Sequence, residues 1–176
     1  ELYVFGDCAI NIDPTAEDLA EIAKQTAETA KNYGITPRVA MLSFSTKGSG
    51  KGPMVDKVRR GYEIAKEKYP ELVIDGELQF DAAFVPEVAA KKLKTSPVAG
   101  KANVFIFPDI QAGNIGYKIA QRLGKFEAIG PILQGLNSPV NDLSRGCNEE
   151  DVYKLCIISS MEAIKITEER QRKNKA

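Results

Sequence analysis

Short apolar runs separated by longer amphipathic stretches are the feature that most narrows how this chain can fold. Leu2 to Phe5, Arg38 to Ser43 and Val104 to Phe107 are runs without strict polar alternation. Between and after them, apolar residues recur at helical spacing: Leu19, Ile22, Ala23, Thr26, Ala27 and Ala30; then Val55, Val58, Tyr62, Ala65 and Tyr69; then Ala112, Ile115, Ile119, Ala120 and Leu123. Strict alternation would mark strands with one wet face, whereas apolar strands joined by helices mark a parallel sheet covered on both faces. The pattern therefore predicts an α/β fold, a three-layer αβα domain with a mostly parallel sheet. Asp13-Pro14 reads as the cap and first residue of the first helix, which Gly34 ends. Further along, the spacing predicts an interrupted strand over 72–74 and 77–80, a short helix over 87–93 and a polar connection over 94–101. A strand over 128–133 and a long final helix opening at Asn148 follow. The polar tail from Glu168 to Ala176 is expected to fray into solvent.

In such sheets ligands gather beyond the carboxyl ends of the strands. The polar residues to watch are Asp7, Ser43, Ser45, Asp81, Asp109 and the segment 141–145. What they can do is bounded by an absence: the chain has no histidine. Ser-His-Asp and Cys-His catalysis and histidine metal sites are excluded unless another chain supplies the residue, so a carboxylate, lysine, tyrosine or cysteine must move protons. Lys plus Arg equals Asp plus Glu at 24 each, so no net field draws the protein to nucleic acid or to a membrane surface. Cys8, Cys147 and Cys156 are too scattered for a zinc site or disulfide framework, so no metal is expected, and their odd number suits a reducing cytoplasm. No apolar run approaches the roughly 20 residues of a membrane-spanning helix. The chain opens at Glu1 without Met, which raises the expectation of sequence missing upstream.

Three segments carry candidate chemistry. The loop from Ser45 to Pro53 is glycine-rich and basic, but Lys51 is followed by Gly52 and Ser45 stands where a phosphate loop has its first glycine. It reads either as a flexible strand-to-helix connection or as a weak anion or coenzyme contact through backbone N–H groups. In the second segment, Phe107 to Tyr117, Gly113 and Gly116 admit a close neighbour. Asp109 reads as a helix cap or turn residue, and Asn114 as a polar helix-face residue or one that positions a substrate in the crevice. The third, Pro139 to Asp151, brings a hydroxyl (Ser144), a guanidinium (Arg145) and an acidic helix start together. Asn148 is a natural N-cap, and Asp151 falls where a carboxylate reaches back to the cap. Arg145 is either a surface ion-pair residue or, by its fork geometry, a phosphate ligand.

The strings PDIQAGNIGYK (Pro108 to Lys118), AIGPILQGL (Ala128 to Leu136) and PVNDLSRGC (Pro139 to Cys147) resemble those of the phosphate acetyltransferases within the phosphate acetyl/butyryltransferase family. DGELQFDAAF (Asp75 to Phe84) agrees in order and spacing, and the resemblance runs from about Tyr3 to Met161. It implies the isocitrate/isopropylmalate dehydrogenase-like fold, two α/β domains with the active site in the cleft between them, here with the N-terminal domain largely missing. On that reading residues 1–140 form an α/β domain, while residues 141–176 supply an active-site loop and a C-terminal helix that packs on the missing domain. The resemblance further implies reversible transfer of acetyl between coenzyme A and inorganic phosphate by direct thiolate attack, with no permanently bound cofactor. It makes Asp151 the base, Ser144 the oxyanion donor and Arg145 the phosphate ligand; Gly113, Asn114 and Tyr117, from the strand-to-helix segment, are the candidate substrate-binding residues. Acetyl-CoA, acetyl phosphate and phosphate are the implied ligands, and a homodimer coupled functionally to an acetate kinase the implied setting. The fragment alone is expected to have little or no activity. Two rival readings accompany the resemblance, a phosphate butyryltransferase and a non-catalytic acyl-CoA-binding regulatory domain like that attached to malic enzymes. Retention of Ser144, Arg145 and Asp151 together opposes the second.

Overall fold

A computed structural model describes residues 1–93 and 95–173, so Lys94 in the polar connection and residues 174–176 of the tail lie outside the described residues. The chain divides into two compact units, Glu1–Ala120 and Gln121–Ala176.

In the first unit, β1 (Val4–Gly6), β2 (Val39–Leu42), β3 (Ile74–Leu78) and β4 (Val104–Ile106) form one sheet in the order β1-β4-β2-β3, and every pairing is parallel. Parallel strands need crossover helices. These are α1 (Ala16–Asn32), α2 (Pro53–Lys68) and, after β3, the short α3 (Phe80–Phe84) and α4 (Pro86–Lys92). Alternate residues of each strand point to opposite faces, and both faces are dry. Val39, Met41, Val104 and Ile106 pack with Leu19, Ala23, Ala27, Val58 and Ala65 of α1 and α2. Ala40, Leu42 and Phe105 pack the other way, onto Leu78, Ala83 and Val98, with Phe5, Phe84 and Phe107 beside them. The three-layer α/β arrangement expected from the apolar pattern is present.

Several local expectations change. The first helix is capped by Thr15, not Asp13. The Thr15 hydroxyl accepts from the Asp18 N–H at 3.1 Å while the Asp18 carboxylate takes the Thr15 N–H at 2.9 Å, a reciprocal box that fixes the start two residues later. The strand over 72–80 is continuous from Ile74 to Leu78, because the charges of Asp75 and Glu77 find partners inside the structure, and Phe80 already begins α3. No strand forms over 128–133. Pro131 lacks an N–H for a ladder, Gly130 sits at φ +141°, and the Leu133 N–H goes to the Asn141 side chain instead of a neighbouring strand.

After β4 comes α5 (Ile110–Arg122), followed in the second unit by an irregular stretch and the long α6 (Glu149–Lys173). The apolar stripe predicted for α5 does not face a core: Ile115, Ile119 and Leu123 are exposed, and the buried residue of that helix is Gly113. The polar end of α6 remains helical to Lys173. There Arg170 donates to the Asn137 carbonyl at 2.8 Å, tying the end of the helix to the irregular stretch. Among the described residues no helix is long and apolar enough to cross a membrane.

Candidate active site

The glycine-rich loop after β2 is settled by its own hydrogen bonds. Every backbone N–H from Ser45 to Gly50 already donates: Ser45 to the Ser43 hydroxyl, Thr46 to the Ser49 hydroxyl, Lys47 to the Glu77 carbonyl, Gly48 to the Glu77 carboxylate at 2.6 Å, Ser49 to the Thr46 carbonyl and Gly50 to the Ser45 hydroxyl. The Glu77 side chain is 1% exposed and also receives the Ser45 hydroxyl at 3.0 Å and the Arg59 guanidinium at 3.3 Å. Burial pushes this carboxyl up, but Arg59, the Gly48 N–H and the Ser45 hydroxyl outweigh it and hold it below its ordinary value. From Ser45 to Gly50 the loop is therefore wrapped around an internal carboxylate, and its backbone N–H groups are occupied. Beside it Lys47 bridges Asp75 and the Gly76 carbonyl, each at 2.5 Å, with the Tyr62 ring centroid 4.5 Å away.

At the carboxyl end of β1 the Asp7 carboxylate gathers the backbone N–H groups of Ala9, Ile10 and Asn11 and the Asn11 amide, at 2.7–3.1 Å. Burial works against its charge, but these four donors prevail and hold it below the ordinary carboxylate range. Burial and the neighbouring Asp7 charge push the Cys8 thiol up to about 12, which leaves it inert as a nucleophile. The start of α5 rests on this loop. Asp109 caps the helix by accepting the Ala112 N–H at 2.9 Å, and the Asn114 side-chain amide donates to the Cys8 carbonyl at 3.1 Å. Gly113 is what allows the approach, since a Cβ there would lie 2.3 Å from the Asp7 carbonyl oxygen and 3.1 Å from the Cys8 Cα. Tyr117 is half-buried, with the Lys118 ammonium 5.8 Å from its ring centroid.

Gly113→Ala follows as a direct test of that contact. Alanine normally favours a helix interior over glycine by about 1 kcal/mol. Here the intruding Cβ meets backbone, which cannot rotate away, so overpacking of about 1–3 kcal/mol prevails and chemical denaturation should show a net loss of stability. A stabilised variant would mean that the two segments separate freely.

The second unit holds Ser144, Arg145 and Asp151. The loop from Asn141 to Asn148 has no regular structure, apart from a turn at Arg145-Gly146. Inside that turn the Gly146 N–H donates to the Ser144 hydroxyl at 3.2 Å and the Cys147 N–H to the Ser144 carbonyl at 3.1 Å. Immediately beyond, Asn148 and Asp151 cap each other reciprocally. The Asp151 N–H donates to Asn148 Oδ1 and the Asn148 N–H to Asp151 Oδ2, both at 3.0 Å. The sequence reading of a capping box at this spacing is observed. Ser144 and Arg145 are exposed and Asp151 is half-buried. An open concavity of about 730 Å³ at the start of α6 is lined by Cys147, Asn148, Glu149, Glu150 and Val152.

Ser144 and Arg145 thus lie in a hydrogen-bonded turn of the second unit, and Asp151 lies in the cap that opens α6. Gly113 and Asn114 sit together in the first unit, beyond the carboxyl ends of β1 and β4, with Tyr117 a turn further along the same helix. Among the described residues no group of histidine, cysteine, aspartate and glutamate side chains is arranged to hold a metal ion. Two residues carry more than the sequence suggested: Glu77, the carboxylate inside the loop, and Asn141, which joins the loop to α6.

The family model described as "Phosphate acetyl/butaryl transferase" matches residues 1–160, and the chain belongs to that family. Over 164 residues it is 67% identical to a phosphate acetyltransferase of Bacillus subtilis (strain 168), covering 93% of this chain and 51% of that protein. It is 59% identical over 169 residues to a phosphate acetyltransferase of Staphylococcus epidermidis, with the same coverage. The chain spans about half the length of the curated relatives it matches. Among solved structures, it superposes on a phosphotransacetylase from Streptococcus pyogenes with a TM-score of 0.89 and 71% identity, covering 93% of this chain and 50% of that one. The fold is also that of a branched-chain phosphotransacylase from Enterococcus faecalis, at a TM-score of 0.74, 24% identity, and 91% and 59% coverage.

Proposed function

We propose that this chain carries the Ser144, Arg145 and Asp151 side of a phosphate acetyltransferase, which interconverts acetyl-CoA plus phosphate with acetyl phosphate plus coenzyme A. The observation that carries the reading is the turn-and-cap unit itself. It presents a hydroxyl and a guanidinium to solvent beside a carboxylate whose Oδ2 is tied to the cap and whose Oδ1 makes no hydrogen bond among the described residues. The high identity to phosphate acetyltransferases over nearly the whole chain supports it.

In the direction of acetyl-CoA synthesis, Asp151 takes the thiol proton of coenzyme A. The thiolate attacks the carbonyl carbon of acetyl phosphate, and the oxygen that becomes negative accepts the Ser144 hydroxyl. Collapse of the tetrahedral intermediate breaks the carbon–oxygen bond to phosphate, which leaves with the electron pair and is held by the Arg145 fork. Gly113, Asn114 and Tyr117 complete the reading on the substrate-binding side. The same reading carries no permanently bound cofactor, a homodimeric assembly, coupling to an acetate kinase and a cytoplasmic setting. It also has the 141–176 segment pack on a further domain.

The test is acetyl-CoA formation from acetyl phosphate and coenzyme A by the product of the gene encoding this chain, with Ser144→Ala alongside. The Ser144 hydroxyl accepts only a turn N–H among the described residues, so its loss should leave the fold intact while removing an oxyanion donor. Turnover is expected to fall by about 10²–10³-fold, roughly 3–4 kcal/mol of barrier. Coenzyme A binding with no turnover in the unaltered protein would turn the reading towards a regulatory acyl-CoA-binding domain.

A further inference from the structure

The Asn141 side chain makes three hydrogen bonds within the second unit, and no step of the acetyl transfer uses it. Its Oδ1 accepts the Leu133 N–H at 2.8 Å, and its Nδ2 donates to the Ser159 hydroxyl and to Glu162 Oε2, both at 3.0 Å. Ser159 in turn donates to the Leu155 carbonyl one turn back along α6, at 2.9 Å, and Leu155 is the buried apolar residue of that helix. The amide is therefore spoken for on both ends and joins the irregular 128–136 stretch, the start of the site loop and the middle of α6.

The other end of the loop is fixed differently. Asn148 and Asp151 close the N-terminus of the same helix through their reciprocal cap. The loop from Asn141 to Asn148 is thus suspended between two attachments on α6. The second lies eight residues beyond Asp151, about 12 Å along the axis at about 1.5 Å per residue. Ser144 and Arg145 stand in the middle of that span, held locally by the turn at Arg145-Gly146 and by neither a helix nor a strand.

From this arrangement we infer that Asn141 is a positioning residue that sets where Ser144 and Arg145 are held relative to Asp151. The inference rests on the acetyltransferase reading for its kinetic consequence, but its geometric content does not. A cap alone fixes one end of an eight-residue loop, and a loop fixed at one end samples many positions. The Asn141 amide removes that freedom by fixing the other end to the helix that carries the base. Displacement of a catalytic group by about 1 Å is enough to cost on the order of 10²-fold in rate. A side chain that touches no substrate therefore has large leverage here. Asparagine suits the position because it must accept from one partner and donate to two others, which neither aspartate nor alanine can do.

The experiment uses the product of the gene encoding this chain. Asn141→Ala is expected to lower kcat at least tenfold while KM for coenzyme A stays within about twofold. Asn141→Asp keeps the acceptor for Leu133 but sets a carboxylate against Glu162, so it should lose as much. Adding Glu162→Gln to Asn141→Asp restores a donor facing the new acceptor and is expected to recover at least half of that loss on a logarithmic scale, which general destabilisation would not do. Amide exchange is read in parallel: in Asn141→Ala the Leu133 N–H and the amides of 142–148 should exchange faster while the α6 interior does not. If both single variants keep kcat within twofold, or Glu162→Gln recovers nothing, the inference is overturned. A wild-type product that makes no acetyl-CoA would sink the functional reading instead. In that event exchange alone decides the clamp, and unchanged protection at Leu133 in Asn141→Ala overturns it.

Discussion

Glu77→Ala is expected to destabilise the protein by about 3–5 kcal/mol, because it orphans buried donors to a charged acceptor. The carboxylate lies 1% exposed between the loop after β2 and the helix α2. It accepts from Gly48, Ser45 and Arg59, and its removal leaves the Gly48 N–H and the Ser45 hydroxyl facing a void. Hydrogen bonds to a charged acceptor are worth about 1.5–3 kcal/mol each, whereas Arg59 is partly exposed and recovers water. Glu77→Gln keeps the shape and one acceptor oxygen, so it should cost clearly less. Since folded domains have only about 5–15 kcal/mol in hand, urea or guanidinium denaturation should separate the two variants easily. A loss below about 1 kcal/mol for Glu77→Ala would show that the loop does not depend on its internal carboxylate.

The same residue fixes a pH dependence with a definite sign. Its folded-state value lies below the ordinary 4.5, so on acidification the unfolded chain takes up the proton first. The stabilisation is fully present above that ordinary value and is lost as pH falls through the lower folded one. Wild type should therefore lose stability more steeply than Glu77→Gln below about pH 4.5.

On the proposed acetyltransferase reading, in which Asp151 is the base, Asp151→Asn should lower acetyl-CoA synthesis by about 10²–10⁴-fold, the usual contribution of a positioned base. The substitution isolates chemistry from structure with little ambiguity. Asparagine at that position still offers an oxygen to the Asn148 N–H and keeps its own N–H on Asn148 Oδ1, so both bonds of the cap survive. Loss of the acidic charge at the helix start costs about 0.3–1 kcal/mol of stability, far less than the barrier change. The KM for coenzyme A should move little. Turnover within a few-fold of wild type would remove Asp151 as the base and leave it only its capping role.

The helices that flank the sheet were readable because burial obeys the 3.6-residue period. All of the predicted stripe of α1 is buried, and so are Val55, Val58 and Ala65 of α2. The same rule misled at α5, where Ile115 and Ile119 are exposed and a glycine makes the close contact. Periodicity counts apolar residues, and a glycine that admits another backbone adds nothing to that count. Residues 128–133 looked like a strand by composition, but a ladder needs N–H groups that Pro131 lacks and that Leu133 spends on a side chain.

The candidate site was legible in part for the same reason. The Asn148–Asp151 cap is a local motif and stands at the expected spacing. The fork geometry of Arg145 left a phosphate ligand and a surface ion pair both open, and the role of Ser144 came from resemblance alone. Asn141 was invisible as a hub because its partners lie 8, 18 and 21 residues away. Glu77 was equally hidden, as a carboxylate in an apolar stretch reads as an interruption until its donors, some from a loop about thirty residues earlier, are seen around it.

The strand order has a consequence for how the chain is made. β1 leaves the ribosome first of the four strands, yet among the described residues its neighbour in the sheet is β4, the last of the four to be synthesised. At about 5–20 residues per second the N-terminal strand waits on the order of ten seconds for a partner, with Phe5 and its unpaired edge uncovered. During that interval β2 and β3, joined through α2, can already pair. The sheet therefore grows from its β3 edge towards β1, and the strand most in need of protection by a chaperone is β1, the first of the four to emerge.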